Sequence, residues 1–273
     1  MNVMTVCSTK GGVGKTSLCA NLGGFVAESG WKVLLIDTDP QPSLSTYFPL
    51  TVQSDYGITR IFSHVDINNS ISKTSVSRLD IVRSDDPDNK CDREIKKQPD
   101  GRNRMRNVLL ELNSYDLVII DTQGASSAVL DSAILSSDLL LSPIVPDMLS
   151  AREFFRGIVP ILGRLRKSYG AINLPLSMHA LIYRTRPTVD ARQLARQIRY
   201  LIGELPQVNL LNTSIPDRTV YRDAASAQVP VHRFETKRRF GTSANESMTS
   251  LATELLPDFS VESDRMHSVA RAM

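Results

Sequence analysis

A short apolar strand, Asn2–Cys7, runs directly into Thr9-Lys10-Gly11-Gly12-Val13-Gly14-Lys15-Thr16. Val3, Met4 and Val6 suit a buried parallel strand, and a helix is expected from Lys15 to about Glu28. Small residues let a backbone wrap a phosphate with its N–H groups, and the helix N-terminus adds positive potential. In such a loop Lys15 reaches the β- and γ-phosphates of a nucleotide and the Thr16 hydroxyl holds Mg²⁺, with Ser17 as a second, weaker hydroxyl. Thr9 stands where the usual pattern has glycine. Gly11, Gly12, Gly14, Lys15 and Thr16 keep the required spacing in a strand–loop–helix setting.

The rest of the chain repeats the strand–helix alternation. Gly30 ends the first helix, and the run Val33-Leu34-Leu35-Ile36 makes Lys32–Asp37 a second strand. Asp37-Thr38-Asp39-Pro40-Gln41 then follows at its carboxyl end, the edge at which ligands bind in open α/β sheets. Residues 42–105 are less regular. Leu79–Val82 reads as a short strand. Asp85–Arg106, rich in charge and carrying Pro87, Pro99 and Gly101, reads as a surface loop leading into a helix. Leu117-Val118-Ile119-Ile120 followed by Asp121 is a buried strand with a carboxylate at its end, placed to stand near Mg²⁺. Asp121 to Gly124 also fits D-x-x-G, where a glycine N–H can sense a γ-phosphate.

Further strands are expected at Leu139–Val145, which ends in Pro146-Asp147, and at Leu176–Tyr183. Helices are expected at about Ser150–Lys167, Val189–Ile202 and Ser243–Leu256, with Pro257 closing the last. The fold class is therefore α/β: a doubly wound, mostly parallel sheet flanked by helices, of the phosphate-loop NTPase type. Residues 1–257 are read as one domain, and 258–273 as a flexible polar tail.

Composition excludes several alternatives. No apolar run is long enough to span a bilayer, and the N-terminus does not read as a signal peptide. Cys7, Cys19 and Cys91 form no metal-spaced pair, which fits a reduced, cytoplasmic protein. Net charge is only +3, but residues 151–240 hold 16 Lys/Arg against 6 Asp/Glu, leaving 16 against 23 elsewhere. That asymmetry points to an anionic partner for one face. Arg192, Arg196 and Arg199 share a helix face, and Arg218, Arg222, Arg233, Lys237, Arg238 and Arg239 add to the basic region.

The form Lys10-Gly-Gly-Val-Gly-Lys15-Thr16 resembles the deviant Walker A loop of the ParA/MinD family of ATPases. The resemblance extends over most of residues 2–256. Asp37-x-Asp39-Pro40-Gln41 is similar to the family's first switch, and Ile120-Asp121-Thr122 to its Walker B strand. Ile215-Pro216-Asp217-Arg218 and Gln228-Val229-Pro230-Val231 look like its C-terminal nucleotide-side segment.

This resemblance implies ATP with Mg²⁺, and no Asn-Lys-x-Asp guanine signature opposes it. It implies that Lys10 crosses a dimer interface to the partner's nucleotide, and that Asp39 orients the attacking water. Asp37 and Asp121 would support the metal, and Pro216 and Asp217 would lie near the adenine. It further implies an ATP-dependent homodimer that binds double-stranded DNA nonspecifically and associates with the nucleoid. A ParB-like centromere-binding protein would stimulate its slow hydrolysis.

Two features depart from the DNA-segregation members. Gln123 stands where they commonly have proline, and no helix-turn-helix segment precedes the loop, so autonomous repression is not expected. A MinD-like membrane-surface ATPase is the alternative, but Val261–Met273 makes a poor amphipathic anchor. A redox relative of the nitrogenase iron protein would need cysteines placed to bridge a cluster, which this chain lacks.

Overall fold

The computed structural model describes residues 1–170 and 178–259. β1 (Asn2–Val6) passes through the phosphate loop into α1 (Lys15–Glu28), and β2 (Val33–Asp37) follows. Next come β3 (Leu50–Val52), α2 (Ile58–His64), β4 (Ile71–Thr74), β5 (Leu79–Val82), α3 (Lys90–Lys97) and α4 (Arg104–Leu110). The chain continues through β6 (Leu117–Asp121), α5 (Ala128–Leu135) and β7 (Leu139–Ile144). α6 (Met148–Glu153) runs through a π-turn at Phe154–Ile158 into α7 (Val159–Tyr169). Then follow β8 (Met178–Thr185), α8 (Val189–Gly203), β9 (Val208–Pro216), α9 (Thr219–Ser226), α10 (Val231–Phe234) and α11 (Ala244–Leu255).

The strands form one sheet in the order β3-β4-β5-β2-β6-β1-β7-β8-β9. Only β4 runs against the others, pairing antiparallel with β3 and β5. β2 and β6 are buried at every position, as strands covered on both faces must be. α1 and α11 pack their apolar residues on one face, with Phe25, Leu251 and Met248 in a shared core. On the other face, residues of α2 to α5 cover β2 and β6, and those of α7 and α8 cover β7 and β8.

Register positions the chemistry. Asp121 is the Cα partner of Val6 on β1 and of Asp37 on β2. Both aspartates therefore reach the same edge as the phosphate loop. From β1 the chain turns to β2 on one side, while β7 and β8 lie on the other. A crevice opens where the strand order reverses, outside the carboxyl ends.

The charged stretch Asp85–Arg106 is not a surface loop. Asp86 accepts the backbone N–H groups of Lys90 (2.5 Å) and Cys91 (2.8 Å), starting α3. Cys91 and Ile95, one helical turn apart, are buried with Met105, Val108 and Leu109 of the following helix. Asp92 reaches out to accept the Ala128 N–H at 2.6 Å, tying α3 to α5. The strand expected at Leu176–Tyr183 is described from Met178 and extends to Thr185.

At the C-terminus, Ser243 and Glu246 form a capping box that starts α11. Phe259 is buried against Phe25 and Trp31, so the packed part of the chain runs past Pro257. The rest of the expected tail, 260–273, lies outside the described residues, and so does the segment weighed as a membrane anchor.

Candidate active site

A cleft of about 730 Å³ lies at the crevice, between the phosphate loop, the segment after β2, the 123–125 turn and the ends of β8 and β9. Its floor depends on one glycine. Gly14 takes φ +96°, and a Cβ there would meet Tyr183 Cε1 at 2.3 Å. Only glycine allows the loop to turn into α1 over that ring. The predicted loop residues Gly11, Gly12, Gly14, Lys15, Thr16 and Ser17 all line the cleft, while Val13 is buried behind it.

Lys15 is only 6% exposed, and its Nζ donates to the Lys10 carbonyl at 3.3 Å. The Thr16 hydroxyl donates to Asp121 Oδ2 at 2.7 Å. The other carboxylate oxygen, Asp121 Oδ1, is buried without a hydrogen-bond partner. Burial, with the neighbouring Asp37 charge adding to it, pushes the Asp121 carboxyl up to about 7. A buried, orphaned carboxylate oxygen beside a hydroxyl is a hard oxygen donor set of the kind Mg²⁺ takes. The residues present therefore fit the cation, with Thr16 and Asp121 as those that would hold it.

Asp37 stands differently. Its Oδ2 accepts Ser45 N–H at 2.8 Å and Ser45 O–H at 2.7 Å, and its Oδ1 accepts Asp39 N–H at 3.2 Å. Burial raises its carboxyl to about 6. It anchors the segment that carries Asp39 and lies beside Asp121 rather than offering a free oxygen. Asp39 lines the cleft, held by Gln41 N–H on its Oδ1 (3.0 Å) and by Ser84 O–H on its carbonyl (2.6 Å).

The 122–124 turn is fixed against the loop. Thr122 O–H donates to the Val6 carbonyl at 2.9 Å. A Cβ on Gly124 would meet Gly11 N at 2.7 Å, so Gly124 lies directly on the phosphate loop. Gln123, between these two anchors, lines the cleft.

Lys10 folds back within its own chain. Its Nζ donates to Asp147 Oδ1 at 3.1 Å and to Ser150 Oγ at 2.9 Å. Burial works against the Asp147 charge, but hydrogen bonds from Ser150 and Lys10 more than offset it and hold the carboxyl below its ordinary range. Asp147 caps α6 through the Ser150 N–H, so the lysine rests on a helix start.

Pro216 and Asp217 line the cleft at the carboxyl end of β9. Asp217 is gripped by Arg184 Nε (3.3 Å) and Arg186 Nε (2.9 Å), and Arg184 also donates to the Gly12 carbonyl at 3.4 Å. Arg184 takes φ +59°, unusual for a side-chain-bearing residue. Sequence reasoning missed these arginines and the cleft tyrosines Tyr47, Tyr183 and Tyr221. Their place at the carboxyl end of the apolar strand β8 was the available signal for Arg184 and Arg186.

The basic residues divide. Arg192, Arg196 and Arg199 of α8 meet Arg186, Arg218 and Arg238 around a second groove of about 680 Å³. Thr188 caps that helix by accepting the Ala191 N–H at 3.3 Å. Arg218 is ion-paired with Glu235 and donates to the Thr242 carbonyl at 3.1 Å. Arg222 lies on the nucleotide cleft instead, and Arg233 is ion-paired with Glu28. Lys237 is exposed, and the Arg239 guanidinium lies over Phe240, 5.4 Å from the ring centre. Cys7, Cys19 and Cys91 are all buried, which leaves no thiol at the surface for bridging a cluster between subunits. Among the described residues no helix is long and apolar enough to cross a membrane.

A family model described as AAA domain matches residues 1–177. A virulence plasmid ParA family protein of Chlamydia psittaci is 33% identical over 156 residues, which cover 55% of this chain and 59% of that protein. The match thus spans less than two thirds of that relative. The chromosome partitioning protein ParA of Caulobacter vibrioides is 24% identical over an alignment of 280 positions, covering 99% of this chain and 98% of its own. Among solved structures, that of a Cyanothece McdA variant in complex with ATP superposes with a TM-score of 0.80 at 18% identity, covering 93% of this chain and 96% of that one. At that identity the superposition speaks for the fold.

Proposed function

The chain belongs to the ParA/MinD family of ATPases, and from that premise we propose that it is a DNA-partition ATPase. It binds ATP with Mg²⁺ in the cleft, dimerises when ATP is bound, and in that state grips double-stranded DNA without regard to sequence. Hydrolysis is slow, and a ParB-like centromere-binding partner accelerates it. The cycle segregates a plasmid, a chromosome or a mobile element on the nucleoid, in the cytoplasm and without stable membrane association.

The observation that carries this reading is a shared wall. Pro216, Asp217 and Arg218 line both the nucleotide cleft and the arginine groove. A change at the nucleotide is therefore felt in the backbone that shapes the groove. Guanidinium groups along a groove give phosphate contacts that position DNA and carry no sequence information. Two such grooves in a dimer raise avidity without any new contact, which makes DNA binding follow the nucleotide.

Within the cleft the work is positioning and charge neutralisation, as phosphoryl transfer requires. Lys15 and the loop N–H groups hold the β- and γ-phosphates. Thr16 and Asp121 hold the cation, which offsets the charge on those oxygens. In the dimer Lys10 leaves Asp147 and reaches the partner's nucleotide. Asp39 sits on a braced segment facing the γ-phosphate end.

A mobility-shift titration on unrelated DNA duplexes tests the reading, with the protein alone, with ADP and with a non-hydrolysable ATP analogue. Tight binding is expected only with the analogue. Sedimentation should show the dimer under the same condition. Lys10→Ala should keep monomeric nucleotide binding and lose both dimer and shift. Binding that ignores nucleotide, or a normal dimer in the Lys10 variant, would overturn the cycle proposed.

A further inference from the structure

We propose that Gln123 is a catalytic residue, whose side-chain amide orients the attacking water against the γ-phosphate. The proposal rests on the ATPase reading above. Its starting point is the rigidity of the turn. Thr122 is tied to β1 through the Val6 carbonyl, and Gly124 lies so close to Gly11 that no side chain fits between them. A residue between two such anchors has little backbone freedom, and Gln123 lines the cleft. No hydrogen bond within the described residues engages that amide.

Two of the other polar groups at this end have partners within the chain. Thr16 donates to Asp121, and Asp39 Oδ1 accepts the Gln41 N–H. Lys15 and Lys10 carry donors only. Two carboxamides line the cleft; Gln41 is exposed, whereas Gln123 stands in the turn held by Thr122 and Gly124 and offers a neutral acceptor and a neutral donor on one planar group. A glutamine that orients water is a known solution in phosphoryl transfer, because the amide positions the nucleophile without taking its proton.

In the reaction, the water oxygen forms a bond to the γ-phosphorus as the bond to the β,γ-bridging oxygen breaks. The bridging electrons leave with ADP, and the water proton passes to a γ-phosphate oxygen, giving inorganic phosphate. Gln123 Oε1 accepts from the water, and Nε2 donates to a γ-oxygen. The amide ends the step unchanged.

The test uses the full chain, Gln123→Ala and Gln123→Glu. Three quantities are measured: the single-turnover rate with Mg-ATP, the affinity for ADP, and the affinity for ADP with aluminium fluoride, which imitates the transferring phosphoryl group. Both variants should lose about 10²-fold in rate, in line with the removal of one positioned donor. Affinity for ADP with aluminium fluoride should fall in step, and affinity for ADP should stay within about twofold of wild type, as expected when only transition-state contacts are lost. The glutamate variant keeps the side-chain volume, so it separates chemistry from any packing defect in the alanine variant.

An unchanged rate and unchanged aluminium fluoride complex in both variants would overturn the role. A parallel loss of ADP affinity would also overturn it, since that would mark Gln123 as a brace for the loop. A wild-type protein that neither binds nor hydrolyses ATP would overturn the ATPase reading itself.

Discussion

The nucleotide cleft and the arginine groove share a wall, yet they deliver positive charge in different ways. At the phosphate loop the charge is fixed. Lys15 is 6% exposed, its ammonium is turned onto a backbone carbonyl, and the loop is held in one shape by Gly14 over Tyr183. In the groove the charge is plentiful and loose. Arg192, Arg196 and Arg199 are all exposed on α8, whereas Arg186 and Arg218 at the wall are held by ion pairs. A fixed site recognises one phosphate geometry and fails completely when its key donor is lost. A loose site gains affinity by counterion release, one phosphate at a time, and fails by degrees. The two readouts, all-or-none and graded, are what separate a nucleotide switch from a DNA surface.

The largest expected effect breaks the first half of this comparison. Lys15→Ala removes the buried ammonium of the phosphate loop and leaves the loop's backbone donors and the cation to hold the polyphosphate. ATP binding, measured by titration calorimetry, should fall by at least about 10²-fold, the scale of a lost charge-assisted contact in a water-poor site. The arginine groove should be intact in that variant, yet DNA binding should vanish with the nucleotide. Residual DNA binding at wild-type strength would uncouple the two regions.

A smaller, graded effect tests the second half. Arg196→Ala with Arg199→Ala removes two exposed guanidiniums that make no contact with the cleft. Affinity for every duplex tested should fall together, with the slope of log affinity against log salt reduced by about two. Nucleotide affinity should be unchanged. A loss confined to one sequence would mean base reading, and an unchanged salt slope would place the DNA elsewhere on the chain.

The two regions were also unequally legible. The phosphate loop, Asp37, Asp39 and Asp121 follow directly from strands whose apolar runs are continuous, and parallel register brings their ends together without further information. Lys10 was legible only through family resemblance, and its resting place on Asp147 and Ser150 depends on a contact 137 residues away. Arg184 and Arg186 escaped notice because their partner, Asp217, lies at the end of the neighbouring strand β9, more than 30 residues on. The helices between Asp85 and Arg106 were hidden by charge. Their buried apolar residues are few, and Cys91 and Ile95 are separated by Asp92, Arg93 and Glu94, so periodicity is weak there. What organises them is Asp86 at the helix start and Asp92 reaching to α5, which are contacts a sequence does not display.

The smallest effect concerns the shared wall itself. Arg218 stands on that wall in an ion pair with Glu235, which also accepts the Ala244 N–H at 2.8 Å, at the start of α11. The hydrogen bond from Arg218 holds the Glu235 carboxyl below its ordinary value of 4.5, with burial opposing and the Ala244 N–H assisting. A carboxyl whose value is lower in the folded state binds fewer protons there than when unfolded. Its stabilisation is therefore fully present above 4.5 and is lost as pH falls through the lowered folded value. Glu235→Gln keeps an acceptor but removes the charge. Above that range the variant should be less stable by about 1 kcal/mol, the scale of a single partly buried ion pair. At more acidic pH the difference should close, because wild-type Glu235 is then also neutral. Urea unfolding across the acid limb reads both values. A difference that persists unchanged into acid would mean that Glu235 acts through shape, and that charge has no part in bracing the wall between cleft and groove.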